Sequence, residues 1–307
     1  MTIAFKEALA KRRLVCDGAM GTQLMLAGLE QGACGELWNL THPERVLEIQ
    51  RNYAAAGADC LITNTFGANP FMLKRHSHVD DLRAINREAA RIARAAFDGR
   101  TGFVLGDIGP VGGVLEPYGD LKVDEVRSAL LEQAEALVEG GVDAIILETQ
   151  TALEELGAGL EAARAAGASF LIASLAYDRS LDGTFFKTMM GVPPEPAAEF
   201  AQQSGADVVA LNCGTGMDME AAAGIISAYR STCSLFTMAQ PNAGLPVLEK
   251  LKAVYKQTPE QMVQKLPDLL AAGANIVGSC CGSTPDHTRA IRRVVDQFNQ
   301  SATLRSR

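Results

Sequence analysis

Positive charge is scarce in this sequence: 28 Lys and Arg stand against 36 Asp and Glu, a formal net charge of -8 over 307 residues. A general nucleic-acid binder needs a basic face to release counterions from phosphates, so the balance argues against that class and favours small substrates or protein partners. Long apolar runs are missing too. No stretch is long enough to cross a bilayer, and the apolar run after Lys6, Lys11, Arg12 and Arg13 stops at Asp17, too soon for a secretory leader. Aromatic residues make up only 6%, with one Trp, Trp38, while hydrophobic residues reach 48%. Small aliphatic side chains therefore fill the core, as close helix-on-sheet packing requires.

Histidine is almost as scarce. His42, His76 and His78 show no metal-ligand spacing, and His287 follows Thr284 and Pro285 at what reads as a helix start, a structural place. A Ser-His-Asp hydrolase has no supporting elbow sequence. The seven cysteines are an odd number in apolar settings, unlike a secreted disulfide frame. A reducing, cytoplasmic compartment is expected, in which thiols stay free to act as ligands.

What is present is a rhythm. Eight short apolar runs recur, each followed by a helix-length segment: Leu14–Cys16, Cys60–Ile62, Phe103–Leu105, Ala144–Leu147, Phe170–Ser174, Val208–Leu211, Leu235–Ala239 and Asn275–Val277. Continuous runs of this length suit strands of a parallel sheet covered on both faces. Phrases such as Ala56-Gly57-Ala58-Asp59, Gly140-Gly141-Val142-Asp143 and Ala272-Gly273-Ala274 introduce several of them, with Gly supplying the left-handed residue after a helix. Eight strand–helix units imply one closed (β/α)₈ TIM barrel occupying 1–307 as a single domain. An open doubly wound sheet is the alternative, but Asp17-Gly18-Ala19-Met20-Gly21-Thr22 lacks the G-x-G-x-x-G spacing.

Barrels of this kind keep their chemistry at the C-terminal ends of the strands. Those ends read Asp17-Gly18-Ala19, Thr63-Asn64-Thr65-Phe66, Gly106-Asp107, Glu148-Thr149, Asn212-Cys213, Gln240-Pro241-Asn242 and Ser279-Cys280-Cys281. Cys16, Cys60 and Cys233 read as small core residues, and Cys34 is uninformative. Cys213, Cys280 and Cys281 differ, because each sits at a strand end beside glycine, or one residue from it, where backbone can approach an ion. Three thiolates bind Zn²⁺ with one position open and leave the centre formally anionic, a poor water activator but a good holder of a substrate thiolate. Alkyl transfer to sulfur is the chemistry that follows. Asp17 and Glu148 are the carboxylates best placed for a substrate ammonium, each weighed against a capping or barrel-end hydrogen bond. The Gly18-Ala19 amides offer a carboxylate nest, and Asp107 is either a ligand contact or a turn former.

Those motifs, taken in order along the chain, resemble the homocysteine S-methyltransferase family. The resemblance implies Zn²⁺ on Cys213, Cys280 and Cys281, displaced to admit homocysteine sulfur, with Asp17 and Glu148 at the amino-acid end and Gly18-Ala19 near its carboxylate. In members like methionine synthase it also implies that Asn242, of Pro241-Asn242-Ala243-Gly244, completes the metal shell before substrate arrives. Thr63-Asn64-Thr65-Phe66-Gly67 and Thr188-Met189-Met190-Gly191 are similar to that branch. Gly67 stands where betaine-dependent members carry tyrosine, and Ser279 replaces a more usual glycine. The barrel uses the whole chain and no D-x-H-x-x-G cobalamin sequence is found, so the methyl group is expected from outside. It would come from a corrinoid protein or, alternatively, from S-methylmethionine. The non-enzymatic alternative is a zinc and thiol-amino-acid binding subunit.

Overall fold

The computed structural model describes residues 4–249 and 252–305. All eight runs are strands: β1 Leu14–Val15, β2 Cys60–Ile62, β3 Phe103–Ile108, β4 Ala144–Gln150, β5 Leu171–Leu175, β6 Val208–Asn212, β7 Phe236–Gln240 and β8 Ile276–Val277. They pair in parallel in the order β1-β8-β7-β6-β5-β4-β3-β2, and a parallel bridge between Cys16 and Cys60 closes the ring. This is the expected (β/α)₈ barrel. Two antiparallel hairpins stand outside it, Asp178–Arg179 with Phe186–Lys187 and Pro246–Glu249 with Lys252–Tyr255. Among the described residues, no helix is long and apolar enough to cross a membrane.

The apolar runs hide a period of two, because both faces are buried. Along β4, Ala144 and Ile146 point into the barrel with Leu105, Ile172, Val208, Ala210 and Met238, while Ile145 and Leu147 pack outward against the helices. Alternation then decides the mouth: two residues beyond the last inward apolar side chains come Asp107, Glu148, Ser174, Asn212 and Gln240. The barrel is therefore oily below and polar above. Its floor is sealed by the helix Phe5–Lys11, whose Phe5 ring lies 4.8 Å from Phe103 and 5.0 Å from Phe170, centroid to centroid.

The recurring Gly-Ala-Asp phrase has two jobs. Its glycine takes the left-handed conformation after the helix, φ 104° at Gly57 and 116° at Gly273. Its acid then clips the preceding strand. Asp59 Oδ2 accepts from the Val15 amide at 2.8 Å, Asp143 Oδ2 from Val104 at 2.7 Å, Asp207 Oδ2 from Leu171 at 3.0 Å, and Asn275 Oδ1 from Thr237 at 3.0 Å. Asp59 also pairs with Arg12 and Arg292, tying both ends of the chain to the barrel's lower rim.

Candidate metal centre

Cys213 follows β6 directly, and Cys280 and Cys281 follow β8, so the strands on either side of β7 bring three sulfurs to one mouth. Cys213 Sγ lies 3.8 Å from Cys281 Sγ, Cys280 Sγ lies 3.9 Å from Cys281 Sγ, and all three fall within 4.8 Å of one another. Sulfurs bound about 2.3 Å from one tetrahedral ion stand about 3.8 Å apart, so the donor set and its spacing fit Zn²⁺. Without an ion the three share charge unequally. The Cys280 and Cys281 thiols push Cys213 down to about 3, and the same contact pushes Cys281 up to about 11 and Cys280 well up.

Backbone strain fixes the place of Cys213. Cys213 has φ 54° and Gly214 φ 86°, and a Cβ on Gly214 would lie 1.9 Å from the Tyr177 carbonyl oxygen. A non-glycine residue held in that region costs on the order of 1–3 kcal/mol, which surrounding contacts must offset. Asn242 packs beside Cys213: its Nδ2 donates to the Gly214 carbonyl at 3.0 Å, while its buried Oδ1 has no hydrogen-bond partner. An unpartnered buried oxygen on a side chain that touches Cys213 suits a cation.

Three carboxylates share the mouth. Asp17 Oδ2 accepts from the Ile62 amide at 2.8 Å and Oδ1 from the Cys16 thiol at 3.4 Å, so the barrel-end hydrogen bond weighed for this residue is present. Burial raises Asp17 from 3.8 to about 8. Burial, then the Cys213 charge, raises Glu148 to about 7. Asp107 is pushed up by burial and by Glu148, to which it hydrogen-bonds. Asp107 Oδ1 has no partner; its backbone, and not its side chain, is held by Thr63 and Thr65 hydroxyls at 2.9 and 2.7 Å. Burial is the chief cause in all three, and the charge of a bound cation would offset it.

The Gly18-Ala19 nest is modified. The Ala19 amide donates to Ser283 Oγ at 3.0 Å, and a Cβ on Gly18 would lie 2.6 Å from the same oxygen. That donor is therefore already used, and the Ser283 hydroxyl takes its place at this corner. Cys16, Cys60 and Cys233 are buried core residues as expected, and Cys34 is half-buried against Glu36. His287 is structural: Nδ1 accepts from the Thr284 amide at 3.1 Å and Nε2 donates to the Gln257 carbonyl at 2.9 Å.

Tyr255 is a site residue that sequence reasoning missed. It ends the hairpin after β7, its ring lies so close over Gly282 that a Cβ there would be 2.1 Å from Tyr255 Cγ, and it interacts with the Cys281 thiol. Burial and the cysteine charge raise its pKa. A tyrosine far from both ligand motifs in sequence carried no signal beyond its place in a strand–helix connection.

Comparison with known proteins shows the family of the chain. Residues 14–295 match the family model described as homocysteine S-methyltransferase. The chain is 34% identical over 314 residues to a methionine synthase of Mycobacterium leprae, covering 97% of this chain and 26% of the relative, and 34% identical over 304 residues to that of Mycobacterium tuberculosis, covering 94% and 25%. It thus spans about a quarter of the length of these curated relatives. In fold it is similar to the metallated form of the homocysteine methyltransferase MmuM from Escherichia coli, with TM-score 0.75, 22% identity, and 92% and 96% of the two chains covered. Pyruvate carboxylase from Rhizobium etli shares the barrel at TM-score 0.53 and 14% identity, over 94% of this chain and 27% of the other.

Proposed function

The chain belongs to the homocysteine S-methyltransferase family, and on that premise we propose that 1–307 is the homocysteine-binding barrel of a zinc-dependent enzyme that methylates the thiol of L-homocysteine to methionine, with a methylated corrinoid protein as donor. One observation carries the reading: three sulfurs at metal-binding distance share a barrel mouth with three buried carboxyl groups. Zn²⁺ on Cys213, Cys280 and Cys281 supplies the acidity that strips a substrate thiol of its proton at neutral pH and keeps the sulfur nucleophilic.

The chain's own residues do the rest. Glu148, Asp107 and Asp17 receive the ammonium, and its charge lets the carboxyl protons leave. Gly18 and Ser283 stand at the corner for the carboxylate, and Asn242, beside Cys213, is the further residue that would hold the metal. Around the mouth, Phe66, Tyr118, Leu181, Met189 and Leu248 on the loops after β2, β3, β5 and β7 are exposed. Such an apolar rim supports a macromolecular donor over a small one. Free thiols of this kind fit a reducing, cytoplasmic compartment.

Methionine formation by zinc-loaded protein with L-homocysteine tests the reading, comparing methylcobalamin with S-methylmethionine. Turnover with methylcobalamin is expected. Turnover only with S-methylmethionine would replace the corrinoid donor by a small sulfonium. Homocysteine binding without turnover from either would leave a thiol-amino-acid binding subunit.

A further inference from the structure

Thr149, the neighbour of Glu148, has φ 57°, a region that a β-branched residue enters only when its surroundings hold it there. What holds it is a single side chain. β4 shifts register against β5 between Leu147 and Gln150, and the Thr149 amide donates to Asn212 Oδ1 at 3.0 Å instead of to β5. Asn212 Nδ2 donates in return to Thr149 Oγ1 at 2.8 Å. On the intervening strand, Ser174 Oγ donates to the same Oδ1 at 2.7 Å. Asn212 is fully buried and directly precedes Cys213.

One carboxamide thus spans β4, β5 and β6. Only Asn among side chains of this size offers an acceptor for an amide and a donor for a hydroxyl at once. It fixes two strained positions together, so the Glu148 carboxylate and the Cys213 sulfur cannot move apart or approach independently. The Cys213 charge acts directly on Glu148, and on the homocysteine reading the two groups hold opposite ends of one thiol amino acid.

We infer that Asn212 is a positioning residue that sets this span, and thereby makes the site select homocysteine over cysteine, which is one methylene shorter. The inference rests on the homocysteine reading above. A shorter ligand engages the metal or the carboxylates but not both, and leaves a buried anion without its partner.

The test is calorimetric binding of L-homocysteine and L-cysteine to zinc-loaded wild type, Asn212→Ala and Asn212→Ala/Thr149→Gly, with zinc content and urea midpoint measured on each. Asn212→Ala is expected to retain zinc and to lose tenfold or more of the preference for homocysteine. Thr149→Gly accepts the left-handed conformation unaided and should restore most of that preference in the double variant. Selectivity within twofold of wild type in Asn212→Ala overturns the inference, and so does a loss that Thr149→Gly fails to restore. Should Asn212→Ala not fold, Ser174→Ala removes one hydrogen bond to the same oxygen: a threefold shift in selectivity supports the role and no shift overturns it. Wild type that binds neither amino acid overturns the functional reading and this inference with it, whereas normal wild-type binding with unchanged variants overturns this inference alone.

Discussion

At the scale of single residues, the site gathers sulfurs whose protonation their mutual contacts control and carboxyl groups whose protonation burial controls. Cys280→Ala removes one of three sulfurs, and zinc measured after chelator dialysis should fall from one equivalent to near zero, with methyl transfer lost alongside. Asp17 gives a pH dependence whose sign is fixed. Its folded value, about 8, lies above the ordinary 3.8, so the folded protein holds an extra proton between those limits. Its stability contribution is complete below about pH 4 and is lost as pH rises through about 8. In metal-free protein the urea midpoint should decline from pH 5 to pH 8, and Asp17→Asn should flatten that decline. Equal slopes in both proteins would show that the buried carboxylate is charged throughout.

At the scale of elements, two devices separate stability from chemistry. The acid clips at the lower rim hold strands far from the mouth. Asp143→Ala and Asp207→Ala should each cost about 1–3 kcal/mol in urea unfolding and leave homocysteine affinity unchanged. The hairpin ending in Tyr255 works at the other rim. Gly282→Ala has no room for its methyl beneath the Tyr255 ring, so the hairpin must lift. Zinc affinity should fall about tenfold, the usual range for losing a partner of a metal ligand, and Tyr255→Phe should show part of that loss in a chelator competition.

At the scale of the whole molecule, the barrel was legible and its fine registration was not. Continuous apolar runs and Gly-Ala-Asp phrases located all eight strands because parallel sheets bury both faces and helix exits need glycine. The runs could not show which residue turns inward, since both faces are apolar; only the paired structure places Glu148 and Asn212 in one layer. The three cysteines were legible because thiolates at strand ends have few other uses. Asn212 was visible in the motif only as the neighbour of a ligand, and the register shift beside Thr149 leaves no trace in composition. Ser283 was masked by its position after the paired cysteines, where it reads as turn chemistry.

The aromatic seal of Phe5, Phe103 and Phe170 has a kinetic consequence. A barrel closed below has one doorway, and under the proposed function amino acid, methyl donor and product must all use it. Arrival would then be sequential: homocysteine would have to be seated before a bulky donor covers the opening, and methionine would stay trapped until that donor departs. Product leaving and donor docking compete for the same threshold, so accumulated methionine should inhibit against homocysteine, and an abundant demethylated carrier should slow turnover by standing in the exit.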